Sequence, residues 1–212
     1  MTTQHESSPP TVFVIDDDQD IREALQSLLR SVSLRVELFA TVQEFLDRAG
    51  PDRHGCLVLD VRLPGRSGLD FHDDLIKERV HLPVVFISGH ADIPMSVRAM
   101  KAGAVEFLTK PVRHQDLLDA IYLAIEQDMA RRDGERSVAG LRAVFESLTP
   151  REREVLTLVA AGLLNKQIAA EIGISEATVK LHRGQVMRKM QARTLADLVR
   201  MVDKLQLSRL KP

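Results

Sequence analysis

Five residues in the first half of the chain could do chemistry together: Asp16, Asp17, Asp60, Ser88 and Lys110. Asp16 and Asp17 stand in "TVFVIDDDQD", where an apolar run meets three consecutive aspartates. Neighbouring carboxylates repel, and desolvation adds to the cost. A bound cation would offset it. Three carboxylates make a hard oxygen cage suited to Mg2+, which keeps some waters and takes phosphate as a further ligand. A hydroxyl and an ammonium beside them would hold phosphoryl oxygens, and a carboxylate can itself accept a phosphoryl group. Such chemistry requires side chains far apart in sequence to converge.

The elements between them explain how they could. "TVFVI" (11–15), "LRVELF" (34–39), "CLVL" (56–59), "PVVFI" (83–87) and "VEFL" (105–108) read as five strands. Segments with spaced apolar residues, such as Ile21, Leu25, Leu28 and Leu29, read as helices between them. This alternation implies parallel strands joined by right-handed crossovers. Continuous apolar strands fit a sheet covered on both faces. The expected fold class is therefore α/β, a doubly wound sheet whose carboxyl edge gathers ligands. Asp16 and Asp17, Asp60, Ser88 and Lys110 all fall at that edge. Singly, each has an ordinary role: an Asp at a strand end caps a turn or helix, as Asp18 is expected to do near Gln19. Their joint placement at four successive strand ends carries the functional reading.

The second half differs in charge and pattern. Residues 1–128 carry 13 Lys and Arg against 21 Asp and Glu, whereas residues 129–212 carry 16 against 9. An acidic half followed by a basic one suggests a module for a polyanion. "QDMARRDGERSVAG" is charged, holds two glycines and marks a linker, part of which reads as helix, since Val138, Leu141, Phe145 and Leu148 recur at helical spacing. The remainder reads as all-helical. Thr149, Pro150 and Glu152 form a helix start with a capping box. Asn165–Ile172 and Glu176–Met190 read as two helices separated by Gly173, with Ser175 as cap, which describes a helix-turn-helix. On the second of these, Val179, Val186 and Met190 share one face, while Ala177, Lys180, Leu181, Gly184 and Arg188 cluster opposite. That exposed face is expected to read bases of double-stranded DNA in the major groove. Arg183, Lys189 and Arg193 are expected to contact phosphates.

Composition narrows the class. Cys56 is single, so it forms no internal disulfide; it suits a reducing cytoplasm and reads as a buried strand residue. No apolar run approaches the ~20 residues of a membrane span. The polar opening "MTTQHESSPP" lacks the features of a secretory signal. The seven histidines show no ligand-spaced pair, which speaks against zinc.

"VIDDD", "LVLDVRLPGRSG", "FISGHADIP" and "AGAVEFLTKP" resemble the four signature segments of a bacterial response-regulator receiver domain over residues 11–126. The resemblance implies five parallel strands in the order 2-1-3-4-5. It implies that Asp60 accepts a phosphoryl group from a sensor histidine kinase. Asp16, Asp17, Asp60 and the backbone carbonyl of Arg62 would hold Mg2+. Ser88 and Lys110 would bind the phosphoryl group, Phe107 would swing inward as Ser88 moves, and the bond before Pro111 would be cis. Residues 148–204 resemble a LuxR-type helix-turn-helix, on "LTPREREVL" and "NKQIAAEIGISEATVKLHR", and the combination resembles the FixJ branch of the FixJ/NarL family. That implies promoter binding as a homodimer formed on phosphorylation, with Leu195–Val202 at the dimer seam and RNA polymerase as a further partner. The departures are mild: Ser88 stands where many relatives have Thr, Phe107 lacks a phenolic hydroxyl, and Gly184 replaces a longer polar residue. The expected organisation is a disordered tail (1–9), a receiver (10–128), a linker, helical in part or whole (129–146), and a DNA-binding domain (147–212).

Three other readings share parts of this pattern. An aspartyl-nucleophile phosphatase would need an acid–base residue and a substrate pocket that the sequence does not display. A ligand-sensing LuxR-type regulator would need a cavity-forming sheet rather than alternating strand–helix units. A constitutive DNA-binding regulator with an inert receiver stays open.

Overall fold

The computed structural model describes residues 9–50, 53–89 and 92–205. The expected disordered tail therefore lies, except for Pro9, outside the described residues. The chain divides at Arg131 into two units, each described by itself.

In the first unit, strands and helices alternate: β1 (Thr11–Ile15), α1 (Gln19–Ser31), β2 (Arg35–Phe39), α2 (Val42–Arg48) and β3 (Gly55–Asp60) lead into α3 (Gly68–Lys77). β4 (Val84–Ser88), α4 (Ile93–Lys101), β5 (Glu106–Thr109) and α5 (His114–Glu146) follow. All strand pairs are parallel, in the order β2-β1-β3-β4-β5. Each strand end lies within one residue of its expected place. Side chains alternate faces along a strand, so each buried strand serves two cores. Phe13, Ile15, Leu57, Leu59, Val84 and Phe86 pack with Phe39, Phe45, Phe71 and Leu75. Val12, Val14, Cys56, Val58, Val85 and Ile87 pack on the other face with Leu29 of α1 and Leu117, Ile121 and Ile125 of α5. This two-sided burial is why the strands read as continuous apolar runs.

Two tight approaches set the sheet geometry. Gly55 opens β3 at φ +130°, and a Cβ there would lie 2.0 Å from the Thr11 carbonyl oxygen. A Cβ on Gly68 would lie 2.2 Å from the Asp60 carbonyl oxygen, so only glycine lets α3 begin against that strand end. At the opposite end, buried Asp128 of α5 accepts from the Gly55 N–H at 2.9 Å, pairs with His54 Nδ1 at 2.7 Å and with Arg131 at 2.5 Å. This pins α5 to the start of β3.

α5 continues through Gly134 and Gly140 to Glu146 without a break. Both glycines stay in the ordinary helical region, and their Arg, Glu and Ala neighbours favour helix. The segment expected as a linker is thus part of one long helix.

In the second unit, α6 (Pro150–Ala160), α7 (Asn165–Ile172), α8 (Glu176–Lys189) and α9 (Leu195–Lys204) bury Leu148, Val155, Ile168, Val179, Val186, Met190, Leu198 and Val202 in one core. The capping signals act as expected. Thr149 and Glu152 complete a capping box on α6, Gly173 ends α7 in the left-handed region at φ 69°, and Ser175 accepts from the Thr178 N–H to start α8. The last helix runs two residues beyond Val202.

Candidate functional site

Parallel pairing of β1, β3, β4 and β5 places Asp16, Asp60, Ser88 and Lys110 side by side at the carboxyl edge. Asp16 follows β1 directly, Asp60 ends β3, Ser88 ends β4, and Lys110 follows β5. Asp16, Asp60 and Ser88 are buried, whereas Asp17 is exposed. Each of Asp16, Asp17 and Asp60 offers an oxygen, and all three oxygens lie within 4.8 Å of one another.

The Lys110 ammonium ties the cluster together. It donates to Asp16 Oδ2 at 2.7 Å and to Asp60 Oδ2 at 2.6 Å. The other carboxylate oxygens accept from backbone: Asp16 Oδ1 from the Asp18 N–H and Asp60 Oδ1 from the Arg62 N–H, both at 3.0 Å. Both acids are therefore held in fixed orientations. Burial raises the Asp16 carboxyl above the ordinary Asp value, and hydrogen bonds from Lys110 and Asp18 only partly offset this. Burial pulls the Lys110 ammonium down, but its bonds to Asp16 and Asp60 outweigh that and hold it above an ordinary lysine. The arrangement is one cation shared by two buried carboxylates with a third alongside, a site with excess negative charge that a divalent cation would complete.

Around it, the Lys110 N–H donates to the Ser88 carbonyl at 2.8 Å, and the Lys110–Pro111 peptide is cis. Phe107 is half-buried, its ring centroid 6.2 Å from that of Phe86. Asp18 accepts from the N–H groups of Asp20 and Ile21, the helix-capping role expected of it. Sequence reasoning missed Gly68. The glycine eight residues after an acid-bearing strand end was the available signal.

On α8, Ala177, Lys180, Leu181, Gly184 and Arg188 are all exposed, with Leu181 at 60%, while Val179, Val186 and Met190 face the core. Arg193 is exposed just beyond the helix. The other two expected phosphate contacts are engaged within the unit. Lys189 donates to Glu152 Oε2 at 2.7 Å, and Arg183 Nη1 donates to Asn165 Oδ1 at 3.0 Å. Glu152 is buried, and the Lys189 ammonium together with the Thr149 N–H holds its carboxyl below the usual Glu range. A carboxylate enclosed in the core needs a cation, and Lys189 supplies it. No described helix is long and apolar enough to cross a membrane.

The chain matches the family described as response regulator receiver domain over residues 12–122 and that described as bacterial regulatory proteins, luxR family, over residues 146–202. Nodulation protein W of Bradyrhizobium diazoefficiens is 54% identical over 202 residues, covering 95% of this chain and 89% of that protein. The transcriptional regulatory protein FixJ of Rhizobium meliloti is 40% identical over 191 residues, covering 90% and 94%. Among solved structures, the response regulator StyR matches with a TM-score of 0.83 at 50% identity, covering 93% of this chain and 100% of that one. Full-length FixJ from B. japonicum matches at 0.57 and 39% identity, covering 95% and 99%. With five parallel strands in the receiver order and a helical unit bearing the turn and caps of a helix-turn-helix, the chain belongs to the response regulators that join a receiver domain to a LuxR-type DNA-binding domain.

Proposed function

We propose that Asp60 accepts a phosphoryl group from a sensor histidine kinase and that this controls promoter binding by the basic unit. The carrying observation is the Lys110 ammonium, 2.6 Å from Asp60 and 2.7 Å from Asp16. It is a fixed cation at the acceptor, positioned to pair with incoming phosphoryl charge. Transfer breaks the N–P bond of the kinase phosphohistidine and forms an O–P bond at an Asp60 oxygen. The imidazole leaves with the bonding pair and takes a proton.

The donor set fits Mg2+: three carboxylates, two of them buried, whose oxygens lie within 4.8 Å of one another. Asp16, Asp17, Asp60 and the Arg62 carbonyl are the residues to hold it, and when bound it offsets the negative charge at the acceptor. Ser88 bonds one phosphoryl oxygen, Lys110 pairs with another, and Phe107 moves inward as Ser88 shifts. The receiver is a phosphoacceptor rather than a turnover enzyme, with slow self-phosphorylation from acyl phosphates and slow self-dephosphorylation.

Dimerisation is the output. Ile93, Val97 and Met100 are exposed on α4 at helical spacing, Ile93 at 80%, an apolar stripe suited to a second receiver. Joining two receivers raises the effective concentration of the second DNA-binding unit at its half-site. There, Ala177, Lys180, Leu181, Gly184 and Arg188 meet base edges and Arg193 meets a phosphate, with α9 at the DNA-bound seam. The setting is the cytoplasm, with RNA polymerase as the partner of an activating form.

The test is intact mass after incubation with acetyl phosphate and Mg2+, wild type against Asp60→Asn, with light scattering on the same samples. One phosphoryl adduct that needs both Mg2+ and Asp60, with a shift toward dimer, is the expected result. An unmodified wild type beside a modified control receiver would instead mean an inert receiver on a constitutive DNA-binding protein.

A further inference from the structure

At the other end of the sheet from Asp60, a cavity of about 310 Å³ opens where α3, the turn before β4, the end of α4 and α5 meet. Its wall includes His72, which is only 5% exposed, and whose Nδ1 is buried with no hydrogen-bond partner. The ring stands edge-on to Phe86, with centroids 5.4 Å apart at 78°, a packing contact that holds it in place. Burial lowers the His72 imidazole below its ordinary value. The ring is thus neutral at physiological pH and carries one N–H and one lone pair. A buried polar nitrogen without a partner is unusual in a native core.

The rest of the wall indicates what would suit it. The polar lining side chains are His72, His81, Gln127 and Arg131, and among the described residues no carboxylate lines the cavity. In a unit whose acids outnumber its bases, that is a selective choice of residues. Arg131 is anchored by Asp128 at 2.5 Å, which fixes its guanidinium at the wall. Ile76, Val80, Leu82 and Pro83 supply an apolar side. Pockets for small molecules combine such a hydrocarbon surface with a few convergent polar groups, and this one is at the small end of their range.

We propose that this cavity binds a small organic carboxylate, its head group toward His72 and Arg131 and its hydrocarbon body against Ile76, Val80 and Leu82. The site is separate from the acid cluster at Asp60. Because Gln127 and Arg131 belong to α5, its occupancy acts on the helix that leads out of the receiver.

The test uses the full-length protein with histidine-ring NMR and benzoate as probe. Benzamide, the same shape without charge, and inorganic phosphate, the charge without a hydrocarbon body, serve as comparisons. Benzoate should shift the His72 resonances saturably with a Kd of about 0.1–1 mM, as expected for so small a ligand. Benzamide and phosphate should bind at least about tenfold more weakly. Ala102→Leu narrows the cavity without touching His72 and should abolish the shift, while His72→Phe keeps the aromatic contact with Phe86 and, read at the His81 ring on the same wall, should weaken binding about tenfold. No saturable shift in the wild type overturns the proposal, as does unchanged binding by Ala102→Leu. Equal binding of benzamide or of phosphate overturns the carboxylate assignment.

Discussion

Asp16 is a residue at which the receiver site costs the fold stability. Its carboxyl is raised by burial above the ordinary 3.8, so the folded protein binds that proton more tightly than the unfolded chain does. A group shifted in this direction lowers stability as pH rises from its ordinary value through its raised one, and the penalty is complete above the raised value. A divalent cation would remove the penalty. Asp16→Asn is therefore expected to be no less stable than wild type in chelator, while in Mg2+ the wild type should gain stability that the variant does not. At tenfold above its Kd the cation is worth about 1.4 kcal/mol, a few degrees in Tm. Thermal melts with and without Mg2+ across the two proteins check this, and an equal Mg2+ response in Asp16→Asn would remove Asp16 from the metal site. Lys110 acts in the opposite sense. Its raised value contributes stability present below an ordinary lysine value of 10.5 and lost as pH rises beyond it.

Among the elements, the end of α8 and the turn after it carry two cations close in sequence with different surroundings. Lys189 is bound to buried Glu152, which also accepts from the Thr149 N–H at the start of α6; Arg193 is exposed and lies outside that network. Lys189→Met should cost about 1–2 kcal/mol in urea unfolding of the second unit, because it leaves a carboxylate in the core without its cation. It should leave the salt dependence of DNA binding nearly unchanged. Arg193→Ala should do the reverse, with stability within about 0.5 kcal/mol of wild type and a log K against log salt slope smaller by about 0.9. The Glu152 carboxyl, held below its ordinary value of 4.5, contributes stability above that pH which is lost as pH falls through its lowered value. The stability gap between wild type and Lys189→Met should therefore narrow as pH falls through that lowered value.

For the whole molecule, α5 is the covalent route from one unit to the next, anchored at Asp128 and continuing through two glycines. Both glycines are exposed, and a Cβ at either would meet nothing within 4 Å. Gly134→Ala and Gly140→Ala should each stabilise the helix by about 0.5–1 kcal/mol. Hydrogen exchange over residues 129–140 should slow, and phosphorylation at Asp60 should be unaffected. Phosphorylation-stimulated DNA binding, followed by fluorescence anisotropy, should persist in the double variant. Its loss, with the adduct still forming, would identify the glycine pair as a hinge that signalling requires.

Features that depend on local order were legible in the chain itself. Strand ends, helix starts and caps follow from side-chain period and from which residues can bond a nearby N–H. That is why the sequence places Asp16, Asp60, Ser88 and Lys110 at one sheet edge and marks Thr149, Gly173 and Ser175 as helix-end residues. The pattern "QDMARRDGERSVAG" was less informative, because glycine lowers helix propensity without forbidding helix. Tertiary structure alone decided the pairings between distant positions. Asp128 reaches the start of β3, Glu152 claims Lys189, Gly68 clears the Asp60 carbonyl, and His72 is left lining a cavity. Gly68 alone has a signal in the chain, its spacing from Asp60; the others are set by which side chains packing brings into contact and by the cost of leaving a buried polar group without a partner.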